Sequence, residues 1–252
     1  WPAGISSATA AALWAGRVAV NVCLAKMMAA SPEYQDKLMS TWAGAFAIWT
    51  FDAVGHSGQR VGGMAMDIMG GAGARSNKDG IDTGGILSSL TLSVGNVETY
   101  EFLYPLLYLY RKEVADSGGA GMFRGGVAGD NALTPYETPA PMSITAFTHG
   151  MEQPTSAGVS GGYAGGTAQY RLKRKTNARE LLGQGKLPQS LYELEGQIEP
   201  VPAKTRTYLG IGDVMQTIQP GGGGYGDPLD RSPELVASDV RNGLVSHRAA
   251  EQ

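Results

Sequence analysis

Four consecutive glycines, Gly221 to Gly224, lead into Tyr225 and Gly226, and this GGGGYG run constrains the fold more than any other stretch. Glycine lacks a Cβ, so it tolerates positive φ and lets the backbone approach another surface closely, at a cost in chain entropy. The pattern recurs in Gly70-Gly71-x-Gly73, Gly118-Gly119-x-Gly121, Gly125-Gly126 and the cluster from Gly158 to Gly166. Glycine makes up 37 of the 252 residues, about double the usual ~7%. Glycine and proline together remain under the ~25–30% typical of low-complexity chains. The glycines also fall between apolar segments, so they read as specified loops of a folded protein.

The GGGGYG run opens toward a short punctuated helix. Ser232 stands at the N-cap position, Pro233 at the first helical position and Glu234 against the helix dipole, while Gly243 suits a left-handed C-terminal cap. Gly221-x-Gly223-x-x-Gly226 also spells a dinucleotide-binding pattern, but that motif needs a strand before it and a helix starting within it. Here Pro220 precedes the glycines and Asp227-Pro228 follows them. No Walker A pattern occurs, so a P-loop nucleotide site is not expected on this chain.

The length suits one large domain or two small ones, and we expect a helical segment over 1–42 followed by a β-rich region over 43–252. The net charge of −3 offers no basic surplus for nucleic acid. A single cysteine, Cys23, excludes an internal disulfide framework, suits a reducing cytoplasmic compartment and reads as a small buried hydrophobe. The chain opens Trp-Pro-Ala-Gly, without Met or a basic leader, and is expected to be a piece of a longer polypeptide. The longest charge-free apolar stretch expected away from the first helix, Leu38 to Phe51, is too short for a membrane span, and no membrane contact is expected.

The fold class expected is α+β: buried N-terminal helices, a mixed, mostly antiparallel β-rich body with long glycine loops, and a short C-terminal helix. Ile5 to Ala30 is alanine-rich and apolar nearly all round, predicting a long buried helix, with a second helix after Ser31-Pro32-Glu33. Strands are predicted over Ala45–Val54, Ile86–Val94, Val97–Val114, Met142–Gly150 and Thr207–Gln219, the last as a pair. Pro105 must interrupt any ladder through the third of these. Gly126–Pro141 reads as loop, Tyr170–Arg179 as a charged edge strand and Leu181–Pro200 as an irregular connector.

Chemistry-bearing residues concentrate in the glycine loops. In MGGAGARSNKDGIDTGG, Gly70, Gly71 and Gly73 expose amides while Arg75, Lys78, Asp79 and Asp82 supply charge, a composition suited to an anion nest. The three histidines, His56, His149 and His247, lack helical spacing and neighbouring Cys or carboxylate clusters, so no metal site is expected from this chain alone.

Three blocks in fixed order carry a resemblance: Gly70 to Asp82, then Glu98-x-x-Glu101-x-x-Tyr104-Pro105 with Asp116-Ser117-Gly118-Gly119-x-Gly121-x-x-Arg124-Gly125-Gly126, then the run from Gly221 to Ser246. This set resembles the hydantoinase B family, whose members are subunits of ATP-dependent hydantoinases, 5-oxoprolinases and ketone carboxylases. The GGILSSLTLSVGNVE segment departs from the hydrolase form and looks more like the acetone and acetophenone carboxylase branch. The resemblance implies a ligase-type carboxylase subunit, a hydantoinase A-like partner that uses ATP, and a divalent metal (Zn, Mn or Mg) held outside this chain by the N-terminal part of a full B-type subunit. It further implies Asp82, Glu98 and Arg124 as catalytic candidates. Gly70, Gly71, Gly73, Arg75, Lys78, Ser117, Gly118 and Gly119 would form substrate- or anion-binding loops. Cyclic-amide hydrolysis and a non-catalytic scaffold are the competing readings.

Overall fold

The computed structural model describes residues 7–65, 68–86 and 94–251, with side chains described from residue 12 onward. Among the described residues, nine strands form two antiparallel sheets. The first sheet has four strands: β1 (Ile48–Val54), β2 (Arg60–Ala65), β5 (Met142–Phe147) and β8 (Lys204–Leu209), in the order β2-β1-β5-β8. The second has five: β3 (Leu106–Val114), β4 (Ala128–Pro135), β6 (Gln169–Arg174), β7 (Gln197–Pro200) and β9 (Val214–Ile218), in the order β3-β4-β9-β6-β7. Helices are α1 (Ser7–Ala29), α2 (Val97–Leu103), α3 (Ala178–Gly183), α4 (Pro233–Arg241) and α5 (His247–Ala250). This is the α+β class expected from the sequence.

The sheets pack face to face. Trp49, Phe51, Met142, Ile144 and Leu209 of the first meet Leu106, Leu133, Tyr170, Leu172 and Met215 of the second in one buried cluster. Burying each large apolar side chain is worth about 1.5–3 kcal/mol. Polar groups in this layer are paired across it: Trp49 Nε1 donates to Thr217 Oγ1 (3.2 Å), and the Tyr170 hydroxyl donates to the Ile48 carbonyl (2.5 Å). The outer face of the five-stranded sheet is covered in part by a second cluster, in which Ala178, Leu191 and Leu194 sit against Tyr110, Ala132 and Val214.

Several local expectations are corrected. The segment Val97–Val114 is half helix: Asn96 Oδ1 accepts the Thr99 amide (3.0 Å) as an N-cap, and Pro105 separates α2 from β3. Gly126–Pro141 is not loop, because it contains β4, whose eight residues are all buried. Its Gly, Asp, Asn and Pro depress strand propensity, and burial overrides them. The basic segment is not an edge: β6 lies between β9 and β7. Its charges are absorbed by Lys173 Nζ donating to the Leu191 and Leu194 carbonyls (2.7 and 2.5 Å) and by Arg174 pairing with Asp213 and Glu199 (2.8 and 3.0 Å). The two final strands, β8 and β9, fall in different sheets. The connector Leu181–Pro200 completes α3 and contributes β7, and Arg60–Ala65 adds a strand inside the first glycine-rich stretch. The strand expected at Ile86–Val94 lies mostly outside the described residues.

The first helix forms where expected but is less buried than its composition implies. Only Ala25 among its described side chains is buried; Leu13, Val20, Leu24 and Met27 are exposed, and so is Cys23, contrary to its expected burial. Residues 12–29 are long and apolar enough to cross a membrane by length and composition alone, although Arg17 and Lys26 fall within them. The second expected helix shrinks to a 3-10 turn at Gln35–Lys37. At the C-terminal helix, Ser232 takes the N-cap position, but its hydroxyl bonds Glu234 and not a backbone amide, while Gly243 adopts φ +73° as the cap geometry demands.

Candidate functional site

The glycine loops converge on one another. Successive amides of the Gly221–Gly226 run point to different neighbours with a period of three. Gly221 and Gly224 donate to Gly166 and Tyr163, Gly222 and Tyr225 to Gly126 and Phe123, and Gly223 and Gly226 to Thr41 and Val159. A three-residue repeat is the symmetry of a polyproline II-like chain, which has no internal hydrogen bonds and must find partners around it. Here those partners are other glycine segments. A Cβ at Gly222 would lie 1.9 Å from the Ala72 carbonyl oxygen, and one at Gly71 1.8 Å from that of Gly126. The backbone itself is therefore the packing surface, which explains why the sequence is so rich in glycine.

The predicted loop residues occupy this bundle. Gly71 donates to the Pro220 carbonyl (3.1 Å) and Gly119 to that of Gly222 (2.8 Å), while Gly70, Gly73 and Gly118 approach neighbouring backbone closely. Ser117 Oγ donates to the Val114 carbonyl (2.6 Å) and accepts the Ala128 amide (2.7 Å), fixing where β4 begins. The backbone of Arg75 bridges to that of Lys78, whose side chain is exposed.

Two of the three catalytic candidates meet. Arg124, 5% exposed, directs one edge of its guanidinium to Asp82 (2.8 and 3.4 Å) and another to Asp239 (3.3 and 3.5 Å), and donates to the Gly125 carbonyl (2.7 Å). Arg231 from the turn before α4 binds Asp79 (2.7 and 2.8 Å) and Asp239 Oδ2 (2.7 Å), the oxygen that Arg124 Nε also reaches. Burial works against both charged guanidiniums, but the hydrogen bonds and charges of Asp82 for Arg124 and of Asp79 for Arg231, joined by Asp239, outweigh it and hold both pKa values above normal. Asp79 also accepts the Arg124 amide (2.7 Å) and Asp82 the Val127 amide (2.8 Å). This five-residue hub thus clamps two glycine loops to the C-terminal helix. Glu98 stands apart from it in its contacts, exposed in the first turn of α2. Its motif neighbour Glu101 accepts the Tyr108 amide (2.8 Å) where β3 shifts register.

Beside the hub lies a cavity of about 600 Å³, with several charged side chains in its lining, on the outer face of the five-stranded sheet. Glu113 links the two: it lines the cavity, and burial together with the Asp82 charge raises its pKa. On the cavity floor Asp130 of β4 is 4% exposed, and its oxygens accept Gln216 Nε2 of β9 at 3.0 Å each. The same amide nitrogen reaches the Tyr110 hydroxyl (3.1 Å). Burial pushes Asp130 up to about 6, against hydrogen bonding from Gln216 and the charges of Lys112 and Arg171. Burial also raises the pKa of Tyr110. Arg171 of β6 reaches Gln216 Oε1 (3.5 Å) and Gln169 Oε1 (2.5 Å), and Lys112 of β3 donates to the Gln189 carbonyl (2.6 Å). Arg171 lies in the segment predicted as a charged edge strand, and nothing along the sequence singles out Asp130 or Gln216. Their one signal, polar residues recurring at alternate positions of neighbouring strands, appears only when the register is known. Among the described residues, no group of three or more His, Cys, Asp or Glu side chains could hold a metal.

The overall fold is shared by known proteins. The family model described as Hydantoinase B/oxoprolinase matches residues 5–228, and the chain belongs to that family. It is 32% identical over 221 residues to the caprolactamase subunit beta of Pseudomonas jessenii, covering 86% of this chain and 34% of that protein. It is 29% identical over 199 residues to the acetone carboxylase alpha subunit of Xanthobacter autotrophicus, covering 71% and 25%. Among solved structures, nucleotide-free acetone carboxylase superposes with a TM-score of 0.75 at 23% identity, over 86% of this chain and 30% of that one. ATP-dependent caprolactamase superposes with a TM-score of 0.69 at 28% identity, over 89% and 36%. The chain thus spans about a third or less of the length of these relatives.

Proposed function

We propose that the chain is the C-terminal part of a hydantoinase B-like subunit in an ATP-dependent ketone carboxylase, a ligase-type complex of the cytoplasm. The observation that carries this reading is the similarity to two carboxylase subunits, acetone carboxylase alpha and acetophenone carboxylase delta, each 29% identical to it. The GNVE form at residues 95–98 supports it from the sequence. ATP is then used by a hydantoinase A-like partner, and the remaining N-terminal part of the B-type subunit completes the active site and carries the divalent metal. No step is assigned to a metal on this chain.

The chain's own residues build a wall. Joining carbon dioxide to an enolate requires fixed dipoles at the developing charge and exclusion of water. A bundle in which backbone packs directly on backbone is stiff enough to hold such dipoles, and the Asp79–Asp82–Arg124–Arg231–Asp239 hub sets its geometry. In this reading Arg124 acts through the loops it locks, and Asp82 orients it.

A second reading has its own support, because caprolactamase subunit beta matches more of the chain at higher identity. In that case the complex opens a cyclic amide. The two separate in one assay on the assembled complex, by measuring ATP hydrolysis with a ketone plus bicarbonate against hydantoin, 5-oxoproline and caprolactam. Ketone- and bicarbonate-dependent turnover supports carboxylation, and turnover with the cyclic amides alone rejects it. If no substrate stimulates ATP turnover in a complex that contains every subunit, a scaffolding role replaces both.

A further inference from the structure

The cavity beside the hub holds charges of both signs. Lys112, Glu113, Asp116, Asp130 and Arg171 all line it, and none takes part in the described ion pairs. Elsewhere the buried guanidiniums of Arg124 and Arg231 each hold two carboxylates, and the buried Lys173 ammonium is met by two backbone carbonyls. A carboxylate as buried as Asp130 is costly when its only described side-chain donors are neutral.

The arrangement is also specific in space. Asp130 sits directly opposite Lys112 in the β3–β4 register, and Arg171 opposite Gln216 in the β6–β9 register. The Gln216 carboxamide spans the space between the opposite charges, touching Asp130 with its nitrogen at 3.0 Å and Arg171 with its oxygen at 3.5 Å. Carboxylate and guanidinium are therefore separated by one amide group and two hydrogen bonds. That is close to the separation at which an ammonium and a carboxylate a few atoms apart reach one partner each. The rim adds neutral hydrogen-bonding groups from Ser190 and Tyr192.

We propose that this cavity binds a small zwitterion of the amino-acid type, with its ammonium group on Asp130 and its carboxylate on Arg171 and Lys112. A simple anion is disfavoured by Asp130, Glu113 and Asp116, and a simple cation by Lys112 and Arg171, so selection acts against singly charged molecules. The ammonium group would also stabilise ionised Asp130, so that binding weakens as pH falls below about 6 and the carboxylate takes up its proton. The inference does not depend on which reaction the complex performs. Ring opening of a cyclic amide does, however, release an amine and a carboxylate on one molecule, the class this cavity fits.

The test is isothermal titration calorimetry on the protein at pH 8 with β-alanine, 4-aminobutanoate and L-glutamate, set against propionate and propylamine. At least one zwitterion is expected to bind at least ~10-fold more tightly than either singly charged analogue. Asp130→Asn and the half-buried Arg171→Gln should each weaken that binding ~10-fold or more, with folding checked by circular dichroism. Arg206→Gln, on β8 of the other sheet, should leave it unchanged. No binding of any zwitterion at ~10 mM overturns the proposal. So do equal binding of propionate or propylamine, and full affinity in Arg171→Gln.

Discussion

At Gly222 a missing Cβ decides whether two glycine segments can touch. Alanine there would place a carbon 1.9 Å from the Ala72 carbonyl oxygen, with backbone on the opposing side and no flexible side chain to move. We expect Gly222→Ala to destabilise the protein by at least ~1–3 kcal/mol, the usual cost of overpacking. Gly16, inside α1, meets nothing within 4 Å, so Gly16→Ala should be neutral or stabilising by up to ~1 kcal/mol. Urea unfolding of the pair distinguishes a packing role for glycine from mere loop flexibility, since flexibility alone would make both changes mild. Arg124 is a second decisive residue. Arg124→Met leaves Asp82 and Asp239 without its guanidinium and should cost about 3–5 kcal/mol. An unchanged melting temperature would show that the hub does not hold the loops. Asp130 carries a pH signature. Its folded pKa of about 6 lies above the ordinary 3.8, so the folded state favours the neutral acid. The resulting contribution is complete below about pH 4 and is lost as pH rises through about 6. Asp130→Asn should therefore be more stable than the parent at pH 7 by up to ~3 kcal/mol, with the gap closing by pH 4. A gap that stays constant with pH would place the titration elsewhere.

At the scale of elements, what the sequence disclosed depended on how each element is buried. β5 alternates buried and partly exposed residues, and its MSITAF pattern was read correctly. β4 is buried throughout and carries Gly129, Asp130 and Asn131, so it has neither alternation nor strand propensity and was read as loop. β6 looked like an edge because it is basic, yet Lys173 is drawn inward by two carbonyls of the segment that covers it. α2 was hidden by alternating aromatic residues that continue into β3, although Asn96 and Pro105 mark its two ends. α4 was legible because Pro233 and Gly243 act locally, through backbone geometry that needs no partner.

For the molecule as a whole, α1 is the element whose surroundings matter most. Trp14 lies near His149, with ring centroids 6.1 Å apart, and Ala25 joins the cluster of Leu38, Ala74 and Tyr225, while Leu13, Val20, Leu24 and Met27 face outward. Replacing Leu24 and Met27 with lysine should change folding stability by no more than ~0.5 kcal/mol, since neither is buried. The same change should reduce self-association of the purified chain in sedimentation velocity. A large loss of stability would mean that this face packs inward in solution. The chain spans about a third or less of the length of these relatives.

The sequence alone determined the family, the α+β class and the C-terminal helix with its stop signals. These are written in local chemistry: glycine and proline restrict the backbone wherever they stand, and motif order survives without knowledge of the fold. Only the tertiary structure decided that the amides of the glycine run bond surrounding carbonyls in a threefold pattern and that Arg124 and Arg231 share Asp239. It likewise brought Asp130, Gln216 and Arg171 onto one cavity floor. Each of these joins residues from separate elements, and the register that unites them is fixed by burial between the two sheets and by closure of the bundle, neither of which leaves a periodic mark along the chain.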